Sequence, residues 1–111
     1  MNEAMKQKIE NGEVFLGIEL GSTRIKAVLI DNTYAPIASG GYNWENRLED
    51  GYWTYHLDDV WTGVQTSFRE LAKDVSERYG AALTKVASMG VSAMMHGYLA
   101  FDKEGNQLCT F

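Results

Sequence analysis

Val14-Phe15-Leu16-Gly17-Ile18-Glu19-Leu20-Gly21-Ser22-Thr23-Arg24-Ile25-Lys26-Ala27-Val28-Leu29-Ile30 is the stretch from which the fold is read. Residues 14–20 are apolar except for Gly17 and Glu19, which predicts a central strand covered on both faces. Residues 25–30 are rich in β-branched side chains and predict a second strand. Gly21-Ser22-Thr23-Arg24 is then a four-residue turn between them. That loop length pairs Leu20 with Ile25 and sets Glu19 opposite Lys26 across the ladder.

The turn has the chemistry of an anion site. Gly21 carries no Cβ, so a phosphate group can come close to the backbone there. Ser22 and Thr23 add hydroxyl donors, and successive turn N–H groups can form an anion-binding concavity. Glu19 is a carboxylate inside an apolar strand, which is costly without compensation. Two compensations are open: a cross-strand ion pair with Lys26, or a divalent metal reached through water, with Lys26 and the turn donors near nucleotide phosphates.

Working outward, residues 31–33 turn the chain and residues 36–42 predict a third strand, with Pro36 at its edge. Residues 43–56 are irregular and hold Trp44, Tyr52, Trp53 and Tyr55, aromatics able to stack on the apolar face of a sugar or to serve local packing. A long helix follows. Asp58 or Asp59 is its expected cap, and Val60, Trp61, Val64, Phe68, Leu71, Val75 and Tyr79 recur at three- and four-residue spacing. By that periodicity Trp61, Phe68 and Leu71 face the core, and Gly80 stands where a helix terminus wants a left-handed residue. Residues 85–91 predict a strand, 92–97 a loop, and 98–102 and 107–110 a closing hairpin around the turn at 103–106. Residues 1–13 are read as an extension, either a short helix or mobile.

The resulting order is βββαβ plus a terminal hairpin, an α/β arrangement over residues 14–111. Strands buried on both faces need cover on both sides, and one long helix covers only one. The domain is therefore expected to be incomplete, with further cover beyond residue 111.

Composition narrows the function classes. A hydrophobic share of 45% over 111 residues supports a folded core. The net charge of −5, with no Lys/Arg cluster, argues against nucleic acid as a partner. One cysteine, Cys109, permits no intrachain disulfide and suits a reducing cytoplasm. The first ten residues mix charges and do not read as a signal peptide. No apolar run approaches the roughly 20 residues of a membrane span.

The segment from Glu19 to Lys26, following an apolar strand, resembles the first phosphate motif of the actin-like ATPase superfamily, whose members share a ribonuclease H-like fold. That superfamily includes sugar kinases, heat-shock chaperones, actin and the ATP-dependent activators of acyl-CoA dehydratases. A second segment, Gly90-Val91-Ser92-Ala93-Met94-Met95-His96-Gly97, resembles the strand-to-loop region of the FGGY carbohydrate kinases, the group that contains xylulokinase and ribulokinase. The aromatic stretch through Trp53 and the helix entry at Asp58-Asp59-Val60-Trp61 are also similar to that family.

The resemblance implies an ATP-dependent sugar kinase with ATP and Mg2+ as cofactors. It implies phosphate contacts from Gly21, Ser22, Thr23 and Lys26, and a metal contact from Glu19 through water. Met95, His96 and Gly97 would contact a small sugar, a pentulose or a similar one. The implied setting is cytoplasmic, without nucleic acid or membrane, and a homodimer is compatible with it. In this family a later Asp is the general base and a second domain holds the adenosine, so no catalytic base is expected in this segment. Glu19 stands where the family usually has Asp, and Met94 where xylulokinase-like members have Gln. The main rival is an ATP-driven regulator of the dehydratase-activator type, which would need iron–sulfur cysteines. A non-catalytic interaction module is a further alternative.

Overall fold

In the computed structural model the described residues are 3–94 and 97–111. In chain order the elements are α1 (Glu3–Glu10), β1 (Phe15–Leu20), β2 (Arg24–Ile30), β3 (Pro36–Asn43), β4 (Arg47–Glu49), β5 (Tyr52–Thr54), α2 (Leu57–Tyr79) and β6 (Ser88–Ala93). Four strands form one sheet in the order β3-β2-β1-β6, and β4 and β5 pair separately as a hairpin. The β1–β2 and β2–β3 pairs are antiparallel, whereas β6 runs parallel to β1. The chain therefore leaves the sheet after β3, crosses over through α2 and returns beside β1.

Helix α2 packs on β3 and β2 at backbone range. A Cβ at Gly40 would lie 2.2 Å from the Ser67 carbonyl oxygen, and one at Gly63 would lie 2.3 Å from Ile25 Cδ1. The fully buried Ser67 hydroxyl donates to the Ile25 carbonyl at 3.0 Å, so this close contact leaves no polar group unpaired. Farther along the helix, the Tyr79 hydroxyl donates to the Ile37 carbonyl at 2.8 Å. Leu16, Ile18, Ala27, Leu29, Leu71 and Val75 form the centre of the core, joined by Ile9 from α1 and by Val14. Of the two alternatives for the N-terminal extension, the described part takes the helical one, because Ile9 anchors it.

Several elements depart from the sequence expectation. Burial along β1 alternates instead of being continuous: Leu16 and Ile18 are buried under α2, while Gly17 and Glu19 are exposed on the opposite face. Every residue of β6 is exposed, on both faces, since α2 packs on β3 and β2 and does not reach β6. The expected double cover is therefore not made by the described residues. Strand β6 starts three residues later than expected, and before it only Ala87 joins the ladder, donating to the Val14 carbonyl at 2.8 Å.

The region taken as irregular contains the β4–β5 hairpin, turned at Asp50 and Gly51, both at positive φ. In the closing hairpin only one bridge forms, Phe101 with Gln107. There the Asp102 carboxylate accepts from the Glu104 and Asn106 N–H groups and organises a tight loop instead of two strands. Helix α2 begins at Leu57 with His56 at the cap position, so Asp58 and Asp59 sit in its first turn, where their charge favours the helix dipole. Gly80 ends the helix as expected, at φ 64°. Of the three residues assigned to the helix core, Leu71 is fully buried, but Trp61 and Phe68 are 57% and 37% exposed.

Candidate phosphate-binding turn

The register predicted for the hairpin is the one observed: Leu20 faces Ile25 and Glu19 faces Lys26. Its turn has a marked polarity. Gly21 N–H donates to the Arg24 carbonyl at 2.9 Å and closes the loop. The buried Trp44 donates from Nε1 to the Gly21 carbonyl at 2.8 Å, and from its backbone N–H to the Thr23 carbonyl at 3.1 Å. Tyr55 donates its hydroxyl to the Ser22 carbonyl at 2.8 Å. All four carbonyls from Gly21 to Arg24 are therefore satisfied. The N–H and hydroxyl groups of Ser22 and Thr23, by contrast, have no partner among the described residues, and both residues are exposed.

Gly21 is needed here for a reason the sequence did not supply. A Cβ at this position would lie 2.9 Å from the Arg24 carbonyl oxygen, which folds back over the turn.

The two aromatics that hold the turn are placed by the elements after β3. Trp44 follows β3 directly, and its ring centroid lies 4.6 Å from that of Tyr55. Tyr55 follows β5 and is fixed by the contacts of the hairpin with α2. Arg47 on β4 reaches both carboxylate oxygens of Asp59 at 3.0 Å. His56 Nε2 meets Glu49 Oε1 at 2.7 Å, and the buried Thr54 donates its hydroxyl to the Arg47 carbonyl at 3.2 Å. Phe111 completes the stack, with its ring 6.3 Å from Tyr55. Trp44 and Tyr55 were grouped in sequence with Tyr52 and Trp53 as sugar-stacking candidates. The structure separates them: Tyr52 and Trp53 are exposed on β5, while Trp44 and Tyr55 brace the turn. The signal available in sequence was only that a Trp or Tyr polar tip seeks a partner once its ring is buried.

Glu19 and Lys26 lie on the face of the sheet opposite α2. With Ser92 of β6 they line one end of a groove of about 520 Å³, whose other end is formed by Phe15, Val28 and Ile30. Despite their register, Glu19 and Lys26 make no ion pair, and neither side chain has a hydrogen-bond partner among the described residues. Of the two compensations for Glu19, the cross-strand pair is thus not the one formed. Among the described residues no group of three or more His, Cys, Asp or Glu side chains is assembled to hold a metal. A lone carboxylate beside free N–H and hydroxyl donors suits Mg2+, which is commonly held by one or two carboxylates together with substrate phosphates.

Of the residues expected to contact sugar, Met95 and His96 lie outside the described residues. Gly97 is exposed and lines a small apolar cavity of about 150 Å³ with Met94, Leu20, Trp44 and Phe111. Trp44 therefore touches both regions singled out in the sequence: its indole N–H holds the turn and its ring borders the loop after β6.

The description "FGGY family of carbohydrate kinases, N-terminal domain" matches residues 14–111. The chain belongs to the FGGY family of carbohydrate kinases. Among solved structures it is similar to a xyloylose kinase from Brucella ovis, with a TM-score of 0.71 and 21% identity over 87% of this chain. It is likewise similar to a gluconate kinase from Lactobacillus acidophilus, at TM-score 0.69 and 19% identity over 87% of the chain. A ligand-bound xylulose kinase from the same organism follows at 0.65 and 20% identity, also over 87%. At these identities the likeness establishes the fold alone, one shared with part of each of these kinases. The chain spans 20%, 18% and 19% of the lengths of those three proteins, about a fifth in each case. No curated protein shows detectable sequence similarity. No helix among the described residues is long and apolar enough to cross a membrane.

Proposed function

We propose that this FGGY segment supplies the phosphate-binding turn and one wall of the sugar site of an ATP-dependent kinase. The kinase transfers the γ-phosphate of ATP to a hydroxyl of a small sugar, a pentulose or a similar one. The observation that carries this reading is the polarity of the 21–24 turn, with its carbonyls tied back and the Ser22 and Thr23 donors free. Mg-ATP supplies the transferable phosphoryl group. Gly21 lets the phosphates approach, Ser22 and Thr23 donate to their oxygens, and Lys26 adds positive charge from the adjoining strand. Glu19 orients the metal through water. Met95, His96 and Gly97 contact sugar hydroxyls.

Phosphoryl transfer depends mainly on positioning and charge stabilisation. One wall of a cleft provides neither in full, so residues 1–111 alone are inactive and the general base lies further along the protein. The segment forms the first part of the N-terminal domain of a cytoplasmic enzyme, with a homodimer as its assembly.

The test is Glu19→Ala in the intact protein. Turnover with Mg-ATP and the preferred member of a sugar panel falls on the order of 100-fold, while the unfolding free energy stays within about 0.5 kcal/mol of wild type. The interaction-module reading predicts the reverse, a less stable protein whose folded fraction keeps full turnover. The absence of a Glu19–Lys26 pair favours the kinase reading.

A further inference from the structure

Trp44 and Tyr55 have no role in the phosphate chemistry just described, yet between them they take three of the four carbonyls of the turn. The geometry of a trans peptide gives this a consequence. In each peptide unit the C=O of one residue and the N–H of the next point in opposite directions within one plane. Holding the Gly21 carbonyl on Trp44 Nε1 therefore turns the Ser22 N–H away from Trp44. Holding the Ser22 carbonyl on the Tyr55 hydroxyl turns the Thr23 N–H away from Tyr55. Because the two rings lie against one another at 4.6 Å, the carbonyls converge on one side and the two N–H groups face the other.

We propose that Trp44 and Tyr55 are positioning residues for nucleotide binding: their N–H and O–H donors hold the turn in the peptide orientation that presents N–H groups, not carbonyls, to the phosphates of ATP. Without them either peptide can rotate, and the face meant for an anion then offers the negative end of a C=O dipole. The inference rests on the reading that this turn receives ATP phosphates. It adds that the specificity of the turn for an anion comes from two side chains 20 and more residues away in sequence, reached only through the fold.

The experiment uses the complete kinase carrying this segment, with Tyr55→Phe and Trp44→Phe. Tyr55→Phe removes a single oxygen and keeps the ring against Trp44 and Phe111. Trp44→Phe keeps an aromatic body and removes the indole donor. Three quantities are read: the equilibrium Kd for ATP by titration calorimetry, the Kd for the sugar, and amide hydrogen exchange of the peptide spanning residues 20–26 in the free protein.

In Tyr55→Phe the ATP Kd rises about fivefold, the equivalent of losing one ordinary hydrogen bond. The sugar Kd stays within about twofold, and exchange of the turn accelerates. Trp44→Phe moves the same two readouts further. Parallel weakening of ATP and sugar binding in Tyr55→Phe, whose ring does not line the cavity beside Gly97, would mean a merely structural role and overturn the proposal. An unchanged ATP Kd in Tyr55→Phe would also overturn it, and if Trp44→Phe fails to fold, Tyr55→Phe decides alone. A wild-type protein that binds no ATP, but whose turn exchanges faster in Tyr55→Phe, would locate the failure in the kinase reading instead. The bracing would then be real, its role in nucleotide binding refuted.

Discussion

The sheet is bounded by two turns built on opposite plans. The loop from Asp31 to Ala35, between β2 and β3, satisfies its own donors. The Asp31 carboxylate accepts from the Thr33 N–H at 2.8 Å, the Thr33 hydroxyl at 2.6 Å and the Ala35 N–H at 3.3 Å, while the Asp31 N–H reaches the Ala35 carbonyl at 3.1 Å. The loop from Gly21 to Arg24, between β1 and β2, satisfies its carbonyls from outside and leaves its donors free. In the first turn a built-in carboxylate occupies the place an anion would take. The second has no acidic residue of its own, and its remaining donors suit an anion brought by a ligand. The structural turn and the proposed binding turn thus differ in which half of the peptide group is already paired. The loop at Asp102 follows the self-contained plan, with its carboxylate accepting from the Glu104 and Asn106 N–H groups.

The most severe way to break this contrast is to give the binding turn a carboxylate of its own. Ser22→Asp places a negative charge where the phosphates are expected and offers the neighbouring N–H groups an internal partner. Like charges about 4 Å apart in partly screened surroundings repel by several kcal/mol. In the intact kinase kcat/KM for ATP therefore falls by on the order of 100-fold or more. The melting temperature does not fall, because the new acceptor meets donors that lacked one. A variant that kept its ATP kinetics would refute the assignment of this turn to phosphate.

How far such a contrast can be read without coordinates is instructive. The self-contained turns are legible locally, since Asp31-Asn32-Thr33 and Asp102-Lys103-Glu104-Gly105-Asn106 carry the acceptor and the donors within five residues. The hairpin register is legible for the same reason: loop length fixes it, and Glu19 does face Lys26. Apolar residues in β1 and β2 imply cover on both faces, and the described residues supply it on one. Phe15, Val28 and Ile30 are apolar and line an open groove. Trp61 and Phe68 kept the helical period but extend past the edge of the surface that α2 covers, since that helix is centred on β3 and β2 and does not reach β6. The braces on the binding turn were the least legible feature. Trp44 and Tyr55 meet Gly21 and Ser22 only because β3 returns beside β2 and the chain after the β4–β5 hairpin, tied to α2 through Arg47 and Asp59, comes back to the turn. No spacing rule encodes that meeting.

The complementary variant acts on the structural turn. Asp31 is held below the ordinary aspartate value of 3.8, chiefly because its carboxylate accepts from the Thr33 hydroxyl and then from the Thr33 N–H. A carboxyl whose folded pKa is depressed contributes stability that is fully present above the unfolded value and is lost as the pH falls through the folded one. Asp31→Asn retains an acceptor but removes the charge. It is therefore less stable than wild type at neutral pH, and the gap narrows as the pH drops below 3.8 and the wild-type carboxyl becomes protonated. Urea melts at a series of pH values measure this directly. ATP kinetics at neutral pH stay within about twofold, since the two turns lie at opposite ends of β2 and independent sites couple weakly. A pH-independent gap between the two proteins would show that the charge is not what holds the turn.

The smallest expected effect comes from the one strained residue of the self-contained turn. Tyr34 adopts φ 67°, in the left-handed region, and its side chain is 83% exposed, so almost no packing offsets the conformation. An L-residue with a bulky side chain incurs roughly 1–2 kcal/mol there, whereas Asn tolerates the region through local hydrogen bonding. The backbone N–H of residue 34 bonds the Asp31 carbonyl at 3.1 Å whatever side chain it carries, so that bond does not enter the difference. Tyr34→Asn is therefore expected to stabilise the fold by about 0.5 kcal/mol, read as a small rise in the urea midpoint with an unchanged slope. A structural turn can be improved in this way at no cost to nucleotide binding. If Tyr34→Asn instead weakened ATP binding, the turn would be coupled to the site across the length of β2, and the division into a binding turn and a purely structural one would fail.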